Sequence, residues 1–128
     1  MTGQKHHAEI LNAISEQFKG ILNFSEAGIY IYINDENFVC NEKFAALLGY
    51  KKAGDISQGK DTFLELFVAP KSQKTLVTAY RNAMEKMVGS KVSITWKNKV
   101  KGTIATNVIL VPIEYQGHLL ALHFVEKK

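Results

Sequence analysis

The apolar positions of this chain change period along its length, from one that suits helices to one that suits strands and back. Between residues 5 and 22, Ile10, Leu11, Ile14, Phe18, Ile21 and Leu22 recur close to helical spacing, with Glu9, Asn12, Glu16 and Lys19 on the other side. This predicts an amphipathic helix whose stripe needs cover, from its own domain or from a second copy of the chain. GIYIYIND, residues 28–35, is a strand by its β-branched and aromatic content, with Ile29, Ile31 and Ile33 on one face and Tyr30 and Tyr32 on the other. Asn34, Asp35, Glu36 and Asn37 are turn residues, and Phe38 to Cys40 reads as a short return strand.

Asn41 follows at once, in the place of an N-cap whose side chain accepts from a free amide of the first turn. Phe44, Leu47 and Leu48 share one helical face. Gly49 sits where a C′ residue takes the left-handed conformation, and Tyr50 is placed to fold back on Phe44 or Ala45. Residues 28–50 therefore form a strand–turn–strand–helix unit with both helix ends specified.

Residues 51–61 are a Lys/Gly/Asp/Ser-rich connection, and 62–67 (TFLELF) suit one or two helical turns that Pro70 breaks. From Ser72 a long helix carries Leu76, Val77, Tyr80, Ala83, Met84 and Met87 as its stripe and stops at Gly89. The last third is β. Val92, Ile94 and Trp96 alternate on one face of a strand, Lys101-Gly102 lies in a turn, and 103–113 form a strand ending near Pro112. Tyr115 to His118 is a hairpin loop before a final strand at 119–125, where Leu120, Leu122 and Phe124 face one way and Leu119, Ala121, His123 and Val125 the other. Helices segregated from a hairpin-built sheet predict an α+β domain at 23–128, flanked by the amphipathic helix of 1–22. The three C-terminal strands are antiparallel neighbours because short loops join them.

The block GIYIYIND, a short strand ending in Asn41, and EKFAALLGY resembles a PAS domain, the small sensory module. The Phe-rich short helix, Pro70, the long helix and three final strands follow in that family's order, so the likeness spans about residues 22–126. Three details depart from the family's common pattern: Lys101-Gly102 stands for an Asp-Gly turn, Lys71-Ser72 for an acidic residue after the proline, and Val125 to Lys128 for a closing Asp-Ile-Thr. The resemblance implies a five-stranded antiparallel sheet with helices covering one face and a cavity between them. It also implies homodimers, and signalling partners such as a histidine kinase or a transcription regulator.

Composition narrows the chemistry. At 128 residues, 46% apolar and 22% charged, the chain is one ordinary globular domain that can bury a core without staples. One cysteine rules out an intrachain disulfide framework. The N-terminal stripe is interrupted by polar residues, unlike a signal peptide, and no apolar run approaches the roughly 20 residues that span a bilayer; the expected location is cytoplasmic. The net charge of +4 comes from scattered lysines, among them Lys97, Lys99 and Lys101 at a hairpin tip. No aromatic residues interleave them, so a solvated loop is preferred to a nucleic-acid surface.

Cys40 lacks the Asn-Cys-Arg-Phe setting of the light-sensing flavin members and the later position of the photoactive yellow proteins' cysteine; it reads as a small, partly buried hydrophobe. Residues 51–117 contain no histidine, where haem-binding members place theirs. His6 and His7 stand near the start, His118 in a turn and His123 on the last strand, and no metal site is expected. Asp35-Glu36 falls in a turn and Asp61/Glu65 on a solvated face, so no catalytic constellation emerges and the chain reads as a non-enzyme.

The expected site is the space between sheet and helices, lined by Phe44, Leu48, Phe63, Phe67, Leu76, Tyr80, Met84, Ile94, Trp96, Ile109, Val111, Leu120 and Leu122. Tyr80 and Trp96 bring polar handles on aromatic bodies. The identity of any cofactor stays open, with haem and photoadduct flavin disfavoured. A dimer seam is expected from Ile10, Leu11, Ile14 and Phe18. Two functions follow: a sensor that binds a small ligand in its core and signals through homodimer or partner contacts, or an interaction module with a filled core.

Overall fold

A computed structural model of the chain describes residues 2–34, 37–56 and 62–128, with side chains at 9–34, 38–56 and 62–128. The turn residues Asp35 and Glu36, the side chains of His6 and His7, and Asp61 lie outside the described residues. Helices α1 (Thr2–Gln17) and α2 (Lys19–Phe24) precede strands β1 (Gly28–Asn34) and β2 (Asn37–Cys40). Then come α3 (Glu42–Leu47), a single 3-10 turn at Ala53–Asp55, α4 (Phe63–Phe67) and α5 (Pro70–Lys86). Strands β3 (Ser90–Asn98), β4 (Gly102–Tyr115) and β5 (His118–Lys127) close the chain. The sheet is antiparallel throughout, in the order β2-β1-β5-β4-β3, so the first hairpin docks beside the last strand and the two halves of the sequence share one sheet.

The unit at 28–50 is held by its caps. Asn41 Oδ1 accepts from Phe44 N at 2.9 Å, as an N-cap, and from Ile29 N at 2.9 Å, while Asn41 Nδ2 donates to Ala27 O at 3.1 Å. At the other end Gly49 has φ +91°, Gly49 N donates to Ala46 O at 3.0 Å and Tyr50 N to Ala45 O at 2.9 Å. That pair of bonds is a Schellman motif. α3 lies so close under β1 that a Cβ on Gly28 would meet Phe44 Cα at 3.1 Å, which is why a glycine opens the strand.

The long helix starts two residues earlier than its apolar stripe suggests. Pro70 is its first residue rather than a break, because a helix's first turn needs no N–H there and proline's φ is already helical. Ahead of it, Ala69 N donates to Thr95 O at 3.0 Å, and Ser72 Oγ accepts from Thr95 N at 2.9 Å. These bonds tie the α4–α5 joint to β3. The helix ends at Lys86, with Met87 in the left-handed region at φ 54°. β4 runs on through Pro112; β3 begins opposite Leu110, so no third strand pairs β4 at the proline. Gln116 and Gly117 both have positive φ, the two-residue type I′ turn that sets the β4–β5 register.

The two faces of the sheet bury different sets. On the inner face Tyr30, Ile94, Trp96, Val108, Leu110, Ala121 and Val125 pack with Phe44, Leu48, Phe63, Phe67 and Leu76 from α3, α4 and α5. On the outer face Ile31 and Leu120 pack with Ile10 and Ile14 of α1. Helices α3, α4 and α5 thus cover one face, and α1 adds cover on the other with the buried part of its stripe. Ile10 and Ile14 are fully buried and Leu11 and Phe18 half-buried within the one chain. The reason is the outer face itself. It is as apolar as the inner one, and an adjoining helix on the same chain covers it without the entropy loss of bringing two chains together.

Candidate functional site

The inner core is not filled everywhere. A cavity of about 210 Å³ lies between β1, β5, α4 and α5, lined by Tyr30, Tyr32, Thr62, Phe63, Leu64, Leu76, Val77, Tyr80 and His123. Its floor is buried (Tyr30, Phe63, Leu76 and His123) and its rim half-buried (Tyr32, Thr62, Leu64, Val77 and Tyr80). Strand alternation delivers Tyr30 and Tyr32 to this side of β1, and cross-strand pairing places His123 opposite Tyr30. Thr62 fixes α4 at the mouth by accepting from Glu65 N at 3.2 Å and donating to Glu65 Oε1 at 3.0 Å.

The floor is an aromatic stack. The Tyr30 ring lies 3.9 Å from the His123 imidazole, tilted by 10°, and meets Phe44, Phe63 and Trp96 at 4.8, 5.2 and 5.6 Å. At the rim Tyr32 meets Tyr80 edge-on at 5.4 Å. Burial pushes the Tyr30 hydroxyl well above the usual tyrosine range, with the Tyr32 charge adding to it, so it stays protonated. Burial pushes the His123 imidazole down to about 3, against the opposing pull of the Tyr30 and Ala121 backbone. The site therefore presents two neutral polar groups on apolar walls.

The His123 shift has a consequence for stability. The unfolded chain protonates this residue near 6.5, the folded chain near 3. Its full contribution is present above 6.5 and is lost as pH falls through the interval down to 3, at about 1.4 kcal/mol per pH unit. Urea unfolding at pH 7 and pH 5 should differ by about 2 kcal/mol from this residue, and His123→Leu should remove that part of the difference. Equal pH sensitivity in the variant would place the effect elsewhere.

Of the residues expected to line a pocket, Phe63, Leu76 and Tyr80 line this one. Phe44, Leu48, Phe67, Ile94 and Trp96 belong to the packed inner core, and Met84 packs half-buried against it. Ile109, Val111, Leu120 and Leu122 are corrections, because they lie on the outer face, with Ile109 45% exposed. Both faces of β4 and β5 carry apolar residues, so polarity alone does not choose between them. The register does. Trp96 donates through Nε1 to Thr106 Oγ1 at 2.9 Å, and Leu110 pairs with His123, which turns Val108, Leu110, Ala121, His123 and Val125 inward. Tyr30, Tyr32, Thr62, Leu64, Val77 and His123 are the lining residues that the sequence reading missed.

Other candidates are placed away from the cavity. Cys40 is half-buried, and burial, followed by the Glu42 charge, pushes its thiol up to about 12, far from a reactive thiolate. In the lysine cluster, Lys97 Nζ donates to Glu65 O and Lys99 sits 4.8 Å over the Tyr50 ring, bracing the β3–β4 tip against α3 and α4. Among the described residues, no three His, Cys, Asp or Glu side chains converge as a metal site would require, and no helix is long and apolar enough to cross a membrane.

Comparison with known proteins gives a consistent fold. No family model matches the sequence, and no curated relative matches it. Solved structures do. The PAS domain of an HTR-like protein from Haloarcula marismortui shares 16% identity over 97% of this chain and 99% of its own, at a TM-score of 0.62. A PAS domain of a protein from Colwellia psychrerythraea shares 17% over 90% and 97%, at 0.67. A PAS domain from a two-component sensor histidine kinase shares 10% over 91% and 99%, at 0.62.

Proposed function

We propose that this chain, which has the PAS fold, is a sensory module that takes a small molecule into the cavity between β1, β5 and α5. The carrying observation is the position of that cavity on strands whose alternate residues hold α1. Tyr30 and His123 form its floor, while Ile31 and Leu120, on the same two strands, pack on Ile10 and Ile14 across the sheet. A ligand that changes the spacing of β1 and β5 reaches α1 through one layer of side chains. Binding shifts the population of α1 arrangements by as much as the ligand prefers one of them.

In this reading residues 1–22 are the flanking output element and 23–128 the sensor. The altered α1 face is read by a second copy of the chain or by a signalling protein such as a histidine kinase or transcription regulator, inside the cell. In this reading the module is not itself a catalyst; among the described residues its site holds no charged residue that could act as acid or base at neutral pH. The sensor-kinase PAS domain of the same fold supports the signalling role.

The test is amide hydrogen exchange with and without a saturating single-ring probe, toluene or phenol. Protection should rise at Tyr30 to Tyr32 and at His123, and change across Ile10 to Ile14. Val77→Trp, which places an indole in the cavity, should abolish both responses. No change in exchange with either probe would overturn the sensory reading.

A further inference from the structure

Four buried side-chain polar atoms among the described residues make no hydrogen bond within the protein: Tyr30 Oη, Ser90 Oγ, Tyr115 Oη and His123 Nδ1. Two of the four belong to residues that line the cavity, and these two face each other in cross-strand register. Each residue is 1% exposed. A buried donor or acceptor left without a partner is costly, so such atoms are normally satisfied by protein or by something bound.

Resting on the ligand-binding reading above, we propose that the cavity selects a neutral, single-ring molecule bearing a hydroxyl group, which hydrogen-bonds to Tyr30 Oη and His123 Nδ1. Three features of the cavity specify that class. The first is hydrogen bonding. A hydroxyl both donates and accepts, so it suits a phenolic O–H and either tautomer of a neutral imidazole, whereas a pure donor or pure acceptor suits only one arrangement. The second is charge. Among the described residues no Lys, Arg, Asp or Glu lines the cavity, and the imidazole stays uncharged at neutral pH. A carboxylate or ammonium would be buried there without a counter-charge. The third is size. At about 210 Å³ the space exceeds the roughly 150 Å³ that accommodates benzene in an engineered apolar cavity, and falls below the roughly 300–1,000 Å³ of sites for drug-sized ligands. The edge-on Tyr32–Tyr80 pair and the Phe63 ring offer an aromatic guest both faces and edges.

Phenol and toluene separate this inference from the reading beneath it. They are close in shape, and apolar burial by itself favours toluene, so a preference for phenol reports hydrogen bonds. Titrations of the whole chain, followed by amide chemical shifts of the lining residues, should show phenol binding about fivefold or more tightly than toluene. The preference should vanish in Tyr30→Phe and shrink in His123→Leu. Toluene affinity in each variant reports whether the pocket survives, and Tyr30→Phe, which removes an unpartnered hydroxyl, should be at least as stable as the parent. Toluene binding as well as phenol in the parent chain would overturn the hydroxyl selectivity while leaving an apolar pocket. An undiminished preference for phenol in both variants would overturn the assignment of the two atoms. Binding of neither probe would overturn the ligand-binding reading and this inference with it.

Discussion

Replacing Trp96 by alanine should lower the unfolding free energy by about 4 kcal/mol, the upper range for truncating one core side chain. Trp96 is the chain's single tryptophan and is fully buried. Its ring is met edge-on by Phe44 at 5.1 Å, Tyr30 at 5.6 Å and Phe63 at 6.2 Å, so it joins α3, α4 and β1 through one side chain. Its Nε1–H donates to Thr106 Oγ1, which in turn donates to Ile94 O at 2.7 Å. Alanine removes the packing and leaves Thr106 with one partner fewer. Trp96→Phe keeps most of the apolar area and loses only the hydrogen bond and part of the volume, so it should cost about half as much. Urea unfolding followed by far-UV circular dichroism measures both, since tryptophan fluorescence goes with the residue. Domains of this kind are stable by only about 5–15 kcal/mol, so the alanine variant should melt well below the parent. A loss under about 1.5 kcal/mol would mean that the surrounding rings close over the gap and that Trp96 does not organise the inner core.

The parts of the fold that the sequence makes legible are those written in local chemistry. Asn41, through its side chain, and Gly49 and Tyr50, through their amides, specify both ends of α3 with hydrogen bonds reaching no further than a few residues, and the structure shows each of those bonds. The inner and outer faces of β4 and β5 are less legible because their alternation is apolar against apolar: Val108 and Leu110 against Ile109 and Val111, Ala121 and His123 against Leu120 and Leu122. The information was nevertheless there. A two-residue turn at Gln116-Gly117 pairs Tyr115 with His118 and hence Leu110 with His123, and the β3–β4 hairpin puts Ile104 and Thr106 on the side of Trp96. Register, not hydrophobicity, decides which face is inside. The placement of α1 was not legible at all, since its stripe fits a neighbouring sheet and a second copy equally well. The cavity was hidden for a different reason. A void is a mismatch among side chains from four elements, and the small Ala121 beside His123 on the inner face has no signature in periodicity.

Asn41→Ala should cost about 3 kcal/mol, from one buried side chain that serves three backbone groups. Two amides, Ile29 N and Phe44 N, lose their acceptor and Ala27 O loses a donor, at a position only 4% exposed. A simple helix cap is worth about 1 kcal/mol; the excess expected here comes from the bond to Ile29, which anchors the start of β1 rather than the helix. Asn41→Asp retains an acceptor for both amides and gives up only the donation to Ala27 O, so it should be clearly milder. Hydrogen exchange gives a second readout, because the amides of Ile29 and Phe44 should exchange faster in the alanine variant than in the aspartate one. If the two substitutions cost the same, the bonds accepted by Oδ1 carry no weight and α3 is held by Phe44, Leu47 and Leu48 alone. The outcome bears on function as well as stability. A six-residue helix does not persist in isolation, so α3 depends on its anchor to β1, the strand that carries Tyr30 into the cavity and Ile31 onto α1. Loosening Asn41 should therefore weaken probe binding and the α1 response together, whereas filling the cavity at Val77 should remove both without moving the Ile29 amide.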